Sequence, residues 1–239
     1  MIFYFVRHGD PIYDPDSLTP LGEEQAKSLS KRFALYGLDE IYASTSNRAQ
    51  LTAKPTCALL KKEMTLLDWA NEGYAWQDFT VTLADGSVTW SFYDPATKEK
   101  FRADAVRNLG KLWYTHPSFA GRFDHGVRRI DTCVDEWFQR LGYNHDRANN
   151  RFEAVAPSEK RVALFAHQGF GLAFLSSVMD IPYPVFATSF DLSHSSVTAI
   201  AFEKEGDSNI VYPKILQLAN DSHLYKDEIL TGYNNGLRI

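Results

Sequence analysis

Met1-Ile2-Phe3-Tyr4-Phe5-Val6-Arg7-His8-Gly9 opens the chain, and its reading decides the fold. Six apolar residues run without interruption and then stop at a basic pair and a glycine. A continuous apolar run of this length is the mark of a strand buried on both faces, as in a parallel sheet. Ligands of open parallel sheets sit at the carboxyl ends of the strands. Arg7 and His8 are therefore expected at a ligand-binding edge.

The next segments repeat the strand–helix alternation. Residues 7–19 read as a Pro/Asp-rich loop. Thr19-Pro20 starts a helix, with Thr as N-cap and Pro in the first position, running to about Tyr36 and stopping at Gly37. Glu40-Ile-Tyr-Ala43 reads as a second strand. Ser44 to Asn47 turn into a second helix over about Arg48–Lys62, and Met64 to Leu67 form a third strand. Late in the chain, Arg161 to Ala166 is another buried strand, His167-Gln168-Gly169 is a turn, and an apolar helix follows to about Met179. Ser195–Glu203 and Ile210–Leu218 read as a late hairpin at one sheet edge. Alternation of this kind predicts a three-layer α/β/α fold around a mostly parallel, doubly wound sheet.

Between these halves the pattern breaks. Residues 70 to about 120 are rich in Trp, Tyr and Phe but show no clean period, which suits an inserted cap. A strongly amphipathic helix over about 124–141 carries Val127, Ile130, Val134, Trp137 and Phe138 on one face. Residues 142–160 read as polar loop. No internal repeat is present, and one domain over 1–239 is expected, with the cap and its return helix inside 74–158.

Composition narrows the function. The chain of 239 residues has 25 Lys+Arg against 30 Asp+Glu, a formal net charge of −5. A nucleic-acid binder usually shows a basic excess or stripe, so none is expected as partner. No apolar run reaches the ~20 residues of a membrane helix, and no membrane partner is expected. The apolar opening lacks the basic and small-residue flanks of a secretory leader. The only cysteines, Cys57 and Cys133, have neither disulfide-framework nor zinc-ligand spacing. A cytoplasmic setting is the expectation, with no metal and no cofactor.

What remains is a local anion site. His8 and His167 each follow a buried strand, Arg7 accompanies the first, and Arg48 opens the helix after the second strand. Two Arg forks and helix N-termini at one sheet edge suit a tetrahedral phosphate.

The ordered set resembles the histidine phosphatase superfamily, the phosphoglycerate mutase-like fold. Arg7-His8-Gly9 is similar to its signature, and Leu18-Thr-Pro-Leu-Gly22-Glu-Glu-Gln25-Ala26 to its first helix start. Asp39 to Ala53, with Arg48, resembles its strand–turn–helix. Asn71-Glu72-Gly73 falls where the family has an acid, Phe165-Ala-His167 carries the second His, and Ser195-Ser-Val-Thr198 resembles its late strand. The likeness covers most of 1–73 and 160–225 and leaves 74–158 uncovered.

The resemblance implies a metal-independent phosphomonoesterase acting on a small phosphorylated metabolite. In it His8 becomes phosphorylated, and Arg7, Arg48, His167 and the Gln168 backbone N–H hold the phosphate. Glu72 serves as general acid and base, with Asp68 and Asp10 as alternatives. Asp10 either faces the pocket or orders its loop. His116, His125, His145, His194 and His223 read as surface or structural. His167-Gln168, rather than His-Asp, argues against the acid phosphatase and phytase branch. The short loop after Gly9, without an Asn, argues for a phosphatase over a mutase or bisphosphatase. The latter remain the alternative, with Arg102, Arg107, Lys111, Arg128 or Arg129 as a second clamp. A non-catalytic module that binds a phosphorylated ligand is a further alternative. The aromatic insertion hints at a ring-bearing substrate, and the oligomeric state is not readable.

Overall fold

Along β1 (Ile2–Arg7), Phe3 and Phe5 point into one apolar cluster while Val6 enters another, as strand alternation requires. This computed structural model describes residues 1–237. After β1 come β2 (Pro11–Tyr13), β3 (Asp16–Leu18), α1 (Pro20–Ala34), β4 (Glu40–Ser44), α2 (Asn47–Leu60), β5 (Met64–Leu67) and α3 (Glu72–Phe79). The middle of the chain forms β6 (Thr80–Thr82), β7 (Val88–Trp90), α4 (Pro95–Arg102), α5 (Asp104–Arg107), α6 (Asp124–Arg140), β8 (Tyr143–Asp146) and β9 (Arg151–Ala154). β10 (Arg161–Ala166), α7 (Gln168–Val178), α8 (Tyr183–Ser189), β11 (Val197–Ala201), β12 (Ile210–Val211), β13 (Lys214–Asn220) and α9 (Ser222–Lys226) complete it.

The main sheet has the order β13-β11-β1-β10-β4-β5. β1, β10, β4 and β5 are parallel, while β11 and β13 join antiparallel. The fold is thus the α/β class with a mostly parallel central sheet. On one face Phe3, Phe5, Val162 and Leu164 meet Trp137 and Phe138 of α6 and Phe170 and Phe174 of α7. On the other, Val6, Ala163 and Phe165 meet Leu29 and Phe33 of α1 and Ala53 and Cys57 of α2. Both faces are covered, which is why β1 and β10 read as unbroken apolar runs.

Several local readings are corrected. The loop after His8 contains the β2–β3 hairpin, too short and polar to show a period. The stretch 142–160 holds β8 and β9, which pair with each other, and β9 pairs on its other side with β12. The two late strands are not a simple edge hairpin. β11 lies inside the sheet beside β1, β13 forms the edge, and Ile210–Val211 pairs elsewhere. α7 begins directly at Gln168, with His167 as its cap residue, so no turn separates His167 from the helix. α1 starts as expected: Thr19 Oγ1 accepts from the Gly22 N–H at 3.0 Å.

The insertion is ordered around aromatic rings. Phe79, Phe101, Trp113, Phe119, Phe123 and Tyr183 pack together and continue into the sheet-face cluster. No helix among the described residues is long and apolar enough to cross a membrane.

Candidate active site

Four parallel strands deliver their carboxyl ends to one crevice. β1 ends in Arg7 and His8, β10 leads into His167, β4 leads through Ser44 to Arg48, and β5 leads to Glu72. β11 is antiparallel, so the residues before it, including His194, arrive at the same edge. Arg7, His8, Arg48, Glu72 and Gln168 all line a pocket of about 410 Å³, joined by Tyr13, Ser46, Asn71, Trp76, Trp90 and Asn234.

The loop carrying His8 is clamped from two helices. The Gly9 N–H donates to Thr52 Oγ1 of α2 at 3.0 Å, and the Asp10 N–H donates to Gln25 Oε1 of α1 at 2.8 Å. Gly9 and Gly22 approach so closely that a Cβ on Gly9 would lie 2.7 Å from the Gly22 carbonyl oxygen. A side chain at either position would push the loop away from α1.

His8 is buried, and its Nδ1 lies 2.7 Å from the Gly9 carbonyl oxygen. A carbonyl only accepts, so Nδ1 carries the proton and Nε2 keeps its lone pair. Burial first, then the neighbouring His167, Arg7 and Arg48, holds this imidazole neutral well below the ordinary histidine range. His167 is also buried, and burial with the Arg48 and Arg7 charges lowers its pKa well below the usual value. Its Nε2 is 2.8 Å from Ser44 Oγ. Ser44 Oγ also accepts from the Ser46 N–H at 3.2 Å. His167 Nδ1 faces Glu72 Oε2 at 3.3 Å, and a carboxylate there favours the proton on Nδ1, with Nε2 accepting from the Ser44 hydroxyl. The two imidazole centroids are 5.2 Å apart.

Arg7 is fully buried and anchored: Nη1 donates to the Leu192 carbonyl and Nη2 to Asn234 Oδ1 at 2.7 Å. Burial lowers its pKa to about 10, leaving it charged at neutral pH. Arg48 Nη1 pairs with Asp16 of the β2–β3 hairpin at 2.7 Å, and its guanidinium lies over the Tyr13 ring at 5.4 Å. Among the described residues, Nε of both arginines is buried without a protein partner. Buried donors are almost always satisfied, so these point to an anion in the pocket.

Glu72 opens α3, capped by Asn71, whose Oδ1 accepts from the Gly73 N–H at 2.9 Å. Its Oε1 accepts from the Phe170 N–H in the first turn of α7 at 3.0 Å, where the helix dipole favours negative charge. A Cβ on Gly169 would fall against the Trp90 ring and 2.6 Å from Glu72 Oε1. Gly169 thus lets the cap and Glu72 close onto α7. Ring nitrogens of His8 and His167 and a carboxylate oxygen of Glu72 lie within 4.8 Å of one another. That is ligand spacing for a cation, but the two guanidinium groups in the same pocket repel a dication and hold an anion.

Asp10 does not line the pocket. Its carboxylate accepts from Thr19 Oγ1 at 2.7 Å and faces His194 Nδ1 at 3.2 Å, so it orders the loop. The Gln168 side chain donates to Asp191, and its Oε1 accepts from Tyr93 OH at 3.1 Å. None of Arg102, Arg107, Lys111, Arg128 or Arg129 lines the pocket.

Residues 3–82 match the histidine phosphatase superfamily (branch 1). The matched N-terminal third of the chain is the part that carries Arg7, His8, Arg48 and Glu72. No curated protein matches the sequence. Phosphatases among solved structures share the fold across nearly the whole chain. A phosphoserine phosphatase mutant from Entamoeba histolytica, in complex with phosphoserine, is 16% identical, with a TM-score of 0.57 over 93% of this chain and 98% of its own. A mycobacterial glucosyl-3-phosphoglycerate phosphatase is 16% identical, with a TM-score of 0.56 over 91% and 98%. The α-ribazole phosphatase from Shigella flexneri is 15% identical, with a TM-score of 0.57 over 92% and 97%. At these identities the likeness is one of fold.

His194, expected as surface or structural, is buried and does not line the pocket, but stacks on His8 with centroids 6.1 Å apart. One pocket residue, Asn234, was missed from sequence. It carried no signal, because it lies beyond the last strand in a tail without period or motif.

Proposed function

We propose that the protein is a metal-independent phosphomonoesterase that works through a phosphohistidine at His8 and acts on a small phosphorylated metabolite. The observation that carries this reading is the His8 imidazole. It is buried and neutral, with its Nδ1 proton given to Gly9 and its Nε2 lone pair left free beside two guanidinium groups.

His8 Nε2 attacks phosphorus while the ester P–O bond breaks. Arg7, Arg48, His167 Nδ1–H and the Gln168 backbone N–H at the start of α7 hold the phosphoryl oxygens, whose charge is what catalysis of this transfer must stabilise. Glu72, as the acid, gives its proton to the leaving alkoxide. Water then replaces the alcohol, and Glu72 carboxylate takes its proton as the oxygen attacks phosphorus. The P–N bond breaks, and phosphate and neutral His8 are released. Ring nitrogens of His8 and His167 and a carboxylate oxygen of Glu72 lie within 4.8 Å of one another, within reach of a single phosphoryl group. We further propose that residues 74–158 act as a cap on one domain, with Trp76 and Trp90 as its contribution to the pocket.

The test is phosphate release from a panel of monoesters in the presence of a chelator. The wild type is expected to turn over, and His8→Ala to lose at least about a thousandfold of the rate, on the scale seen when a nucleophile is removed. Unchanged release by His8→Ala, or dependence on added metal, overturns the reading. Interconversion of 3-phosphoglycerate without hydrolysis would move the protein to mutase chemistry.

A further inference from the structure

The charges and rings of the pocket also say what kind of alcohol it accepts, provided the phosphoester reading above holds. Among its described lining residues, the cations are Arg7 and Arg48, both at the phosphate end. Arg102, Arg107, Lys111, Arg128 and Arg129 of the cap do not line the pocket, and four of them are held by other partners. Arg102 donates to the Thr188 carbonyl at 2.9 Å, and Lys111 pairs with Asp180 at 2.5 Å. Arg128 pairs with Asp124 at 3.0 Å, and Arg129 with Asp78 at 2.7 Å. A substrate with a carboxylate or second phosphate would place that charge in a pocket whose described lining offers no further cation to pair it. Such burial without a partner is costly.

The wall facing this charge-poor space is aromatic and held rigidly. Trp76 and Trp90 pack edge to face, with centroids 5.0 Å apart at 87°. Trp90 is backed by the buried Phe92, stacked at 5.5 Å and 18°, and lies against Gly169. Trp76 lines the pocket and is 40% exposed. An exposed indole on a fixed platform, beside the polar groups of Ser46 and Asn71, has the form of a ligand wall rather than of a cap core.

We propose that the site takes phosphate monoesters of an uncharged alcohol bearing a flat ring, as in a nucleoside 5′-monophosphate, with the ring laid on the Trp76–Trp90 wall. The phosphate is held by Arg7 and Arg48, and the neutral sugar lies between the two ends.

The experiment compares kcat/KM for adenosine 5′-monophosphate, uridine 5′-monophosphate, ribose 5-phosphate and 3-phosphoglycerate. At least one nucleotide is expected to exceed ribose 5-phosphate by about tenfold, the scale of one base–aromatic stack, and 3-phosphoglycerate by more. Trp76→Ala and the bulk-preserving Trp76→Leu are both expected to bring the nucleotide-to-ribose ratio close to one, while Trp76→Phe restores most of it. A ratio near one in the wild type, a ratio unmoved in folded Trp76 variants, or faster turnover of 3-phosphoglycerate overturns the inference. If no ester is hydrolysed, the phosphatase reading falls, and calorimetric binding of the same compounds decides this one separately. Tighter nucleotide binding that Trp76→Leu abolishes sustains it; equal binding of nucleotide and ribose 5-phosphate overturns it.

Discussion

Asn234 Oδ1 accepts a hydrogen bond from Arg7 Nη2 at 2.7 Å, across 227 positions of sequence. The same oxygen lies 2.9 Å from His194 Nε2, and its amide nitrogen is 3.3 Å from Gln168 Oε1. The C-terminal segment therefore completes the cradle of the buried guanidinium. Hydrogen bonds to charged groups are worth about 1.5–3 kcal/mol. Asn234→Ala is expected to raise KM about tenfold while the fold persists. Asn234→Asp, which places a carboxylate on Arg7 in competition with phosphate, is expected to raise it further. Steady-state kinetics decide this, and an unchanged KM in both variants would show that the contact does not serve the site.

Acid should destabilise the protein through its buried histidines. His8 and His167 are held neutral well below 6.5, and burial brings His194 and His223 down to about 4. The unfolded chain protonates these residues near 6.5 and the folded chain does not. The stability they contribute is present above about 6.5 and is lost as pH falls, by up to about 1.4 kcal/mol per histidine per pH unit. For His194 and His223 the loss continues to about 4. His145 runs the other way: its raised pKa adds stability at low pH that is lost as pH rises through the folded value. The four outweigh the one, so the urea midpoint is expected to fall between pH 7 and 5. His223→Gln should flatten that slope, and a midpoint that rises on acidification would contradict this assignment.

The same shift bears on turnover. Because His8 stays neutral below the ordinary histidine range, kcat/KM should show no acid limb near pH 6.5 arising from the nucleophile. A pH–rate profile from 4.5 to 8 tests this, and an acid limb at 6.5 that is absent from phosphate-analogue binding would reassign it to His8.

His145 lies between two carboxylates, with Nδ1 3.0 Å from Asp135 and Nε2 2.9 Å from Asp180, and its ring stacks on Phe152 at 3.9 Å. This ties the β8–β9 hairpin to α6 and to the end of α7. Asp180 also pairs with Lys111 and Asp135 with Arg147, so loss of His145 removes two hydrogen bonds and leaves neither carboxylate without a cation, at a cost of about 1–3 kcal/mol. His145→Leu is expected to lose that much by chemical denaturation, with KM little changed because none of these groups lines the pocket.

Gly169→Ala tests the closure of the cap on α7. The added methyl would meet the Trp90 ring and Glu72, so Trp90 and Glu72 must shift. Overpacking of this kind costs about 1–3 kcal/mol, and the expected signature is a fall in kcat larger than the change in KM. Equal kcat in wild type and variant would mean that Glu72 does not need this placement.

Much of this protein is written in residues that lie close together in the chain. The apolar runs 1–6 and 161–166 announced buried parallel strands. Strand chemistry then places the next residues, Arg7-His8 and His167, at the carboxyl edge, and Arg48 follows from the cap and start of α2. These assignments rest on local backbone rules, so they could be read one segment at a time. Three features could not. Asp16 pairs with Arg48, His194 stacks on His8, and Asn234 holds Arg7. Each joins residues from elements with no common period. The Trp76–Trp90 wall is of the same kind: composition showed that aromatics were abundant in the insertion, but not which would be buried with Phe101 and Trp113 and which would face the pocket. Side-chain period says which way a residue points from its own helix or strand. What it then meets is set by how those elements pack, and in the irregular cap and tail packing alone made the choice.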